Sequence, residues 1–478
     1  MIIVLRTKED LCVKSFAYKE KLRVKASLDP EFEPAIIGIR KYLLDVLKSG
    51  DFEEVLISLE RSGIDKSFYR TVVFSDSTNK HDDNCFYMER LIKSLLWVKG
   101  GYKIQYYGPR KLGEFIKETF SNEGSRSFDS NFMSRIYEKP FVVEFVNKED
   151  IEIIPEPSKP IGRNLDGYRI GFDAGGSDRK VSAVVNGETI YSEEVIWFPK
   201  QTADPDYHYN EILTAMKTAA SKMPRVDAIG VSSAGTYVNN RTMAASLFIK
   251  VPDSLFDEKV KDIYLNVAKE LGDVPIEVAN DGDVTALAGS MSLNKNKVLG
   301  IAMGTAQAAG YIDGNGNITG WLNELSFVPV DFNVKSIVDE WSGDYGVGCK
   351  YFSQDSVIKL AENAGIDIDD NLSLAEKLVF VQEEVKNGNK KALEIFQNIG
   401  VYLGYALGFY DLFYDMENIL ILGRVTSGEG GIQILKYAKK VLKSEFPDIY
   451  KKIKLTLPDE KSRRVGQSIA AASLPKIK

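Results

Sequence analysis

Histidine and cysteine are almost missing from this sequence. Its 478 residues hold two histidines, His81 and His208, and three cysteines, Cys12, Cys85 and Cys349, far apart and without a CxxC pair. That scarcity excludes a disulfide scaffold, a four-cysteine zinc site and an iron–sulfur cluster held by four cysteines. Two histidines leave little room for a His-based triad or a multi-histidine metal centre. Long apolar runs are missing too. None reaches the ~18–20 residues of a membrane helix, and the stretch opening at Met1 is too short for a signal peptide's apolar region, so the expected location is cytoplasmic. The net charge of −7 gives no global field attractive to nucleic acid or to an anionic membrane. What remains is chemistry run by carboxylates, lysines, hydroxyls and backbone amides.

The composition, 44% hydrophobic and 27% charged, is that of a globular protein. At roughly 150 residues per domain the chain has room for about three. The clearest boundary is Ile154-Pro-Glu-Pro-Ser-Lys-Pro160, whose prolines favour a stiff, extended connector. Residues 1–160 carry equal numbers of basic and acidic side chains, so the whole net charge lies beyond them. Apolar spacing predicts a helix over 35–47, continuing in the same manner over 52–59. A short strand is predicted at 71–74, a helix over 87–98, a strand at 102–107 and another helix from 108. This is a small α/β module without a motif that carries chemistry.

After Gly167 the texture changes. Strands are predicted at 168–173, 181–185 and 189–196, with Asn186-Gly187 as a hairpin turn. A helix over 207–223, a strand at 228–232, a helix over 256–271 and a strand at 276–279 follow. The order begins again at Val298, with helices dominating 336–412 and a strand at 419–422. Two copies of one supersecondary unit predict two similar lobes facing a cleft.

Four places could carry chemistry. Asp173-Ala-Gly-Gly-Ser177, with Lys180 after it, ends a strand. Its glycines let backbone amides approach a phosphate, and its acid suits Mg²⁺ held through water; an ordinary Gly-Gly hairpin is the plainer alternative. Gly304-Thr305 stands at the matching place in the second copy, as a second phosphate contact or a packing corner. Gly423 to Gly431 leaves a strand for a helix, as an adenosine site or a glycine-rich loop. Asn280-Asp281-Gly282-Asp283 sits where a strand meets a helix. There a carboxylate can take a proton from a substrate hydroxyl, or the same residues can simply cap the helix.

In order and spacing, residues from about 168 to 474 resemble the ROK (repressor, open reading frame, kinase) family of the actin, hexokinase and heat-shock ATPase superfamily. The resemblance implies an α/β fold of two ribonuclease-H-like, actin-like ATPase lobes, with the small α/β module in front. The lobes would run over 168–280, joined by a closing helix at about 462–478, and over 281–461, after a linker at 154–167 and a module at 1–153. It makes Asp281 the catalytic base and places Asn280, Asp281 and Glu324, from Gly320-Trp-Leu-Asn-Glu324, on a sugar. ATP phosphates would meet Asp173, Gly175, Gly176, Ser177, Lys180, Gly304 and Thr305, and the adenosine would meet Gly423 and Gly428. Mg²⁺ would sit near Asp173.

The chain also departs from the family. The second phosphate motif has fewer glycines, reading Gly304-Thr-Ala-Gln-Ala-Ala-Gly310. The family's Glu-x-Gly-His is Glu324-Leu-Ser-Phe327, and its cysteine-rich zinc segment is reduced to Gly346-Val-Gly-Cys349, so no structural zinc is expected. The expected activity is transfer of the ATP γ-phosphate to a hydroxyl of a sugar or sugar-like polyol. The alternative is a non-catalytic sugar-binding regulator of the same fold. The partner expected is a small carbohydrate, with a homodimer left open, and neither nucleic acid nor membrane.

Overall fold

Buried β-structure organises both ends of this protein. The computed structural model describes residues 16–151, 156, 160–457 and 460–477. Most of the proline-rich connector and Cys12 lie outside the described residues. In the N-terminal part, β1 (Phe52–Glu60), β2 (Lys66–Phe74), β3 (Lys103–Tyr107) and β4 (Val142–Phe145) form a sheet of order β2-β1-β3-β4. Helices Ala35–Ser49, His81–Lys99, Arg110–Thr119 and Ser127–Tyr137 accompany it.

The helical reading of 52–59 is overturned here: those residues are β1, antiparallel to both β2 and β3. The physical reason is burial on both faces. Val55 to Leu59 are all buried, so this central strand shows a continuous apolar run and not the alternation of a half-exposed strand.

The first lobe is built on β5 (Tyr168–Ala174), β6 (Asp178–Val185), β7 (Glu188–Ile196), β8 (Ala228–Ser233) and β11 (Ile276–Asn280), in the order β11-β8-β5-β6-β7. β5, β8 and β11 are parallel, whereas β6 and β7 are antiparallel additions. A two-stranded ribbon, β9 (Thr236–Val238) and β10 (Arg241–Ala244), leaves the end of β8; spacing in the sequence does not reveal it. The second lobe repeats the plan with β12 (Val298–Met303), β13 (Gln307–Ile312), β14 (Asn418–Leu422) and β15 (Lys454–Thr456), in the order β13-β12-β14-β15. Its third antiparallel strand is reduced to one bridge between Ile312 and Ile318.

Glycines allow the closest layers. A Cβ on Gly230 would lie 1.7 Å from the Ala471 carbonyl and one on Gly171 would lie 2.3 Å from that of Ser468, so the C-terminal helix Glu460–Ala472 rests directly on β5 and β8.

The N-terminal part has its own sheet, but its core is shared. Phe16, Phe32, Tyr42, Phe86 and Trp97 belong to one buried cluster with Phe327, Phe332, Tyr351, Tyr402 and Tyr405 of the second lobe. A buried charge network crosses the same boundary. Arg90 makes a bidentate pair with Asp344 at 2.9 and 3.1 Å, Arg126 reaches Asp344 at 2.9 Å, and Lys93 bridges Asp129 at 2.9 Å and Asp344 at 3.3 Å. Burial works against the charge of Asp344, yet Arg126, Arg90 and Lys93 together hold its carboxyl well below the usual range.

Candidate active site

Parallel strands that end together bring side chains together, and here β5, β8 and β11 end side by side. Asp173 is in register with Ser232, and Asn280 with Ser233. Ser232 Oγ donates to Asp173 Oδ1 at 2.7 Å. Ser233 is buried beneath two phenols, accepting from Tyr237 at 2.6 Å and Tyr264 at 3.0 Å. Asn280 caps the helix Asp281–Leu293 through a 2.8 Å bond from the Gly282 amide to its Oδ1, and its Nδ2 donates to the Gly235 carbonyl at 2.7 Å. The capping role is therefore filled by Asn280. Asp281 is left in the first helical turn, half-buried, accepting from the adjacent Gly282 amide at 3.0 Å.

Four carboxyl groups gather around this corner. Burial lifts Asp173 to about 6, and the charge of Asp281 adds to that effect against the Ser232 hydrogen bond and Lys180. Asp281 is raised by burial, with the Gly282 amide and the charge of Lys200 opposing. Glu324 is raised by burial to about 8, with Asp281 and Asp283 contributing. Asp283 reaches about 7 through burial, although it accepts from the Tyr311 amide at 3.1 Å and from Asn323 at 2.9 Å. A set of crowded carboxylates with raised proton affinity is a place where a proton is taken up or a cation is held.

The phosphate candidates divide between the lobes. In the turn from β5 to β6, the Gly175 carbonyl accepts from the Trp197 indole at 2.8 Å, while Gly176 and Ser177 are exposed. The Lys180 ammonium is 3.3 Å from Asp178 and 3.9 Å from Glu194, so it is engaged along the hairpin. A Cβ placed on Gly176 would lie 3.2 Å from the Lys200 ammonium, a cation that spacing in the sequence does not mark. Across the cleft, Gly304 and Thr305 turn β12 into β13, and the Gln354 amide donates to the Gly304 carbonyl at 2.9 Å. Gly423 lies against that turn. It has φ +97°, and a Cβ there would be 2.2 Å from the Met303 carbonyl, so only glycine fits. Gly428, at φ +64°, opens the helix Gly428–Glu445.

Two departures from the expected motifs acquire reasons here. Gln307 is buried; with its amide assigned so that the nitrogen faces the carbonyls of Leu325 and Gly348, it donates to them at 3.3 and 3.2 Å, while Ser326 Oγ donates to the Gln307 backbone carbonyl at 2.6 Å. It pins the loop that follows Glu324 in place of facing the cleft. The Cys349 thiol donates to Asp339 at 3.5 Å and is pushed up by burial. Among the described residues no group of three or more His, Cys, Asp or Glu side chains is placed to hold a metal ion. For Mg²⁺ held through water one carboxylate suffices. Asp173 fits that role, since the Ser232 hydroxyl takes Oδ1 at the end of β5.

Among the described residues no helix is long and apolar enough to cross a membrane. The family described as the ROK family matches residues 169–472. No curated protein matches the sequence at a significant level. Among solved structures, the chain is similar to a ROK hexokinase from Thermus thermophilus at 14% identity and a TM-score of 0.49, covering 64% of this chain and 97% of that one. It is similar to a ROK family glucokinase from Streptomyces griseus, in complex with glucose and AMPPNP, at 20% identity and a TM-score of 0.46, covering 64% and 99%. It is also similar to a ROK family transcriptional regulator, a homolog of the E. coli MLC protein, at 16% identity and a TM-score of 0.49, covering 65% and 79%.

Proposed function

Because the chain belongs to the ROK family, we propose that it transfers the γ-phosphate of ATP to a hydroxyl of a sugar or sugar-like polyol. One observation carries the reading: Asp281 stands at the strand–helix corner, partly buried, within electrostatic reach of Asp173 and Glu324, while Asn280 supplies the helix cap.

A carboxylate whose proton affinity is raised by burial is a suitable acceptor for the proton of an attacking hydroxyl. Asp281 takes that proton as the hydroxyl oxygen bonds to phosphorus and the bond to ADP breaks. Glu324 orients the substrate. Asn280 fixes the corner, because both ends of its amide are held by backbone. The exposed turn at Gly175, Gly176 and Ser177 receives the phosphates from the first lobe, and Gly304 with Thr305 receives them from the second. Gly423 and Gly428 border the nucleoside. Mg²⁺, when bound, supplies neutralisation of phosphate charge, and Asp173 would hold it through water. The protein's own part is positioning and exclusion of water as the lobes close.

A regulator that binds sugar without turnover is the second reading, and Gln307 favours it. Its inward amide occupies a position in the second phosphate turn where a glycine would expose a backbone donor. The test is ADP release screened across hexoses, amino sugars and polyols, joined to calorimetric titration with a non-hydrolysable ATP analogue and Mg²⁺. In the kinase, sugar and nucleotide tighten one another by the same factor. No nucleotide binding with or without sugar would leave the regulator standing.

A further inference from the structure

The N-terminal part carries no motif, yet the structure sets it against the catalytic corner. A cavity of about 180 Å³ lies where three parts of the chain meet. One wall is the β8–β9 turn at Gly235 and the edge of β11, ending at Asn280. A second is the loop Gly320–Leu322, just before Glu324. The third comes from the N-terminal part: Arg61, Ser62 and Tyr137.

Each wall is prearranged. The Arg61 side chain is 8% exposed, and its Nη1 donates to Ser67 Oγ at 2.6 Å and to the Lys99 carbonyl at 3.3 Å. Ser62 sits in the β1–β2 turn, where the Arg61 amide donates to the Asp65 carbonyl at 2.9 Å. The Tyr137 ring packs on Gly100, where a Cβ would come within 2.2 Å of the hydroxyl. Trp321 is clamped between the Lys99 ammonium, 2.9 Å from the ring centre, and the Tyr311 ring stacked at 5.4 Å. Opposite, the Asn240 amide is spent on the Ile276 carbonyl and the Val278 amide, each at 2.9 Å. Next to Tyr137, Glu138 pairs with Arg241 and Lys261 of the first lobe, tying this part of the N-terminal unit to it.

We propose that the N-terminal part forms the far wall of the substrate site, and that Arg61, Ser62 and Tyr137 determine which sugar is accepted. The proposal rests on the sugar-binding half of the function above. The cavity is lined by Asn280 and Asp283, the residues on either side of Asp281-Gly282, and its opposite wall is Arg61, so a ligand with its reacting hydroxyl at that corner would extend its other end toward Arg61. The lining joins hydroxyls, the carboxylates of Asp65, Glu277 and Asp283 and the Arg61 guanidinium to the apolar face of Trp321, a mixture suited to a polyhydroxylated ligand. The volume, about 180 Å³, suits one sugar ring. Selection by such a wall acts through hydrogen bonds left unpaired when the wrong epimer binds.

The test uses the full chain without nucleotide, so that binding is read apart from phosphoryl transfer. Calorimetry is run with D-glucose, D-mannose, D-ribose, N-acetyl-D-glucosamine and maltose. The expected result is binding of at least one monosaccharide and none of maltose. Ser62→Tyr, which fills the cavity from a surface turn, should weaken that binding about tenfold or more with an unchanged melting temperature. Tyr137→Phe should alter the order of preference among the sugars, a readout that a purely structural tyrosine would not move. Binding with no ADP release would support this wall while removing the kinase reading. Unchanged affinity and preference in both variants, or no binding of any monosaccharide, would overturn it.

Discussion

The backbone amide of Glu324 donates to the carbonyl of Trp97 at 2.9 Å, and that of Asn323 to Val98 at 3.0 Å. The loop bearing the candidate sugar-binding acid is thereby fastened to the last turn of helix His81–Lys99. Carbonyls at a helix C-terminus lack intrahelical partners, and here the loop supplies them. The N-terminal part thus anchors the Asn323-Glu324 loop and lines the cavity that reaches Asn280.

Replacing Asp281 by asparagine keeps shape and the Gly282 contact but removes the proton acceptor. With the best sugar from the screen, kcat should fall about 10²- to 10⁴-fold, with nucleotide affinity and melting temperature nearly unchanged. Steady-state kinetics with calorimetry check this. Near-normal turnover would show that Asp281 serves the helix alone.

Stability of the ligand-free protein should depend on pH through the carboxylate corner. Asp173, Asp283 and Glu324 have folded-state values of about 6, 7 and 8, each above its ordinary value. The folded state therefore binds more protons than the unfolded chain. The stability from these groups is complete below about pH 4 and is lost as pH rises toward about 8. Glu324→Gln should flatten the melting temperature between about pH 5 and 8. Parallel profiles for the variant and the natural protein would show that Glu324 does not titrate there.

Removing one carboxylate from the buried charge network leaves three cations to share only Glu89 and Asp129. Asp344→Asn should cost about 3–5 kcal/mol in chemical denaturation, because Arg90, Lys93 and Arg126 all converge on that carboxylate. For the same reason, and because the core is continuous, a chain beginning at residue 161 should fail to fold cooperatively. A cooperative melt of that fragment would contradict the shared core.

Gln307→Ala removes one donor from each of the carbonyls of Leu325 and Gly348, which keep the amides of Val328 and of Tyr351 and Phe352, and leaves a small cavity behind the loop. A loss of about 1–3 kcal/mol is expected, together with weaker sugar binding because the loop after Glu324 loosens. If stability falls and sugar affinity does not, the Glu324 loop is held by the Trp97 and Val98 carbonyls alone.

Much of the two-lobed part was legible in the sequence. Strands 168–173, 181–185, 228–232 and 298–302 appear where local pattern places them, because their apolar runs are bounded by turn residues that allow little else. The glycine at 423 and the asparagine at 280 likewise announce themselves, since a positive φ and a helix cap are local demands. Other features were decided only by tertiary contact. Phe52–Glu60 is a strand because β2 and β3 flank it, and a strand buried on both faces loses the period that would identify it. Gln307 turns inward because Leu325 and Gly348, distant in sequence, present carbonyls to it. Arg61 and Tyr137 reach the cavity at Asn280, and Lys200 reaches Gly176, through folding alone. Spacing records which neighbours along the chain share a face; it holds no record of which distant surface that face will meet.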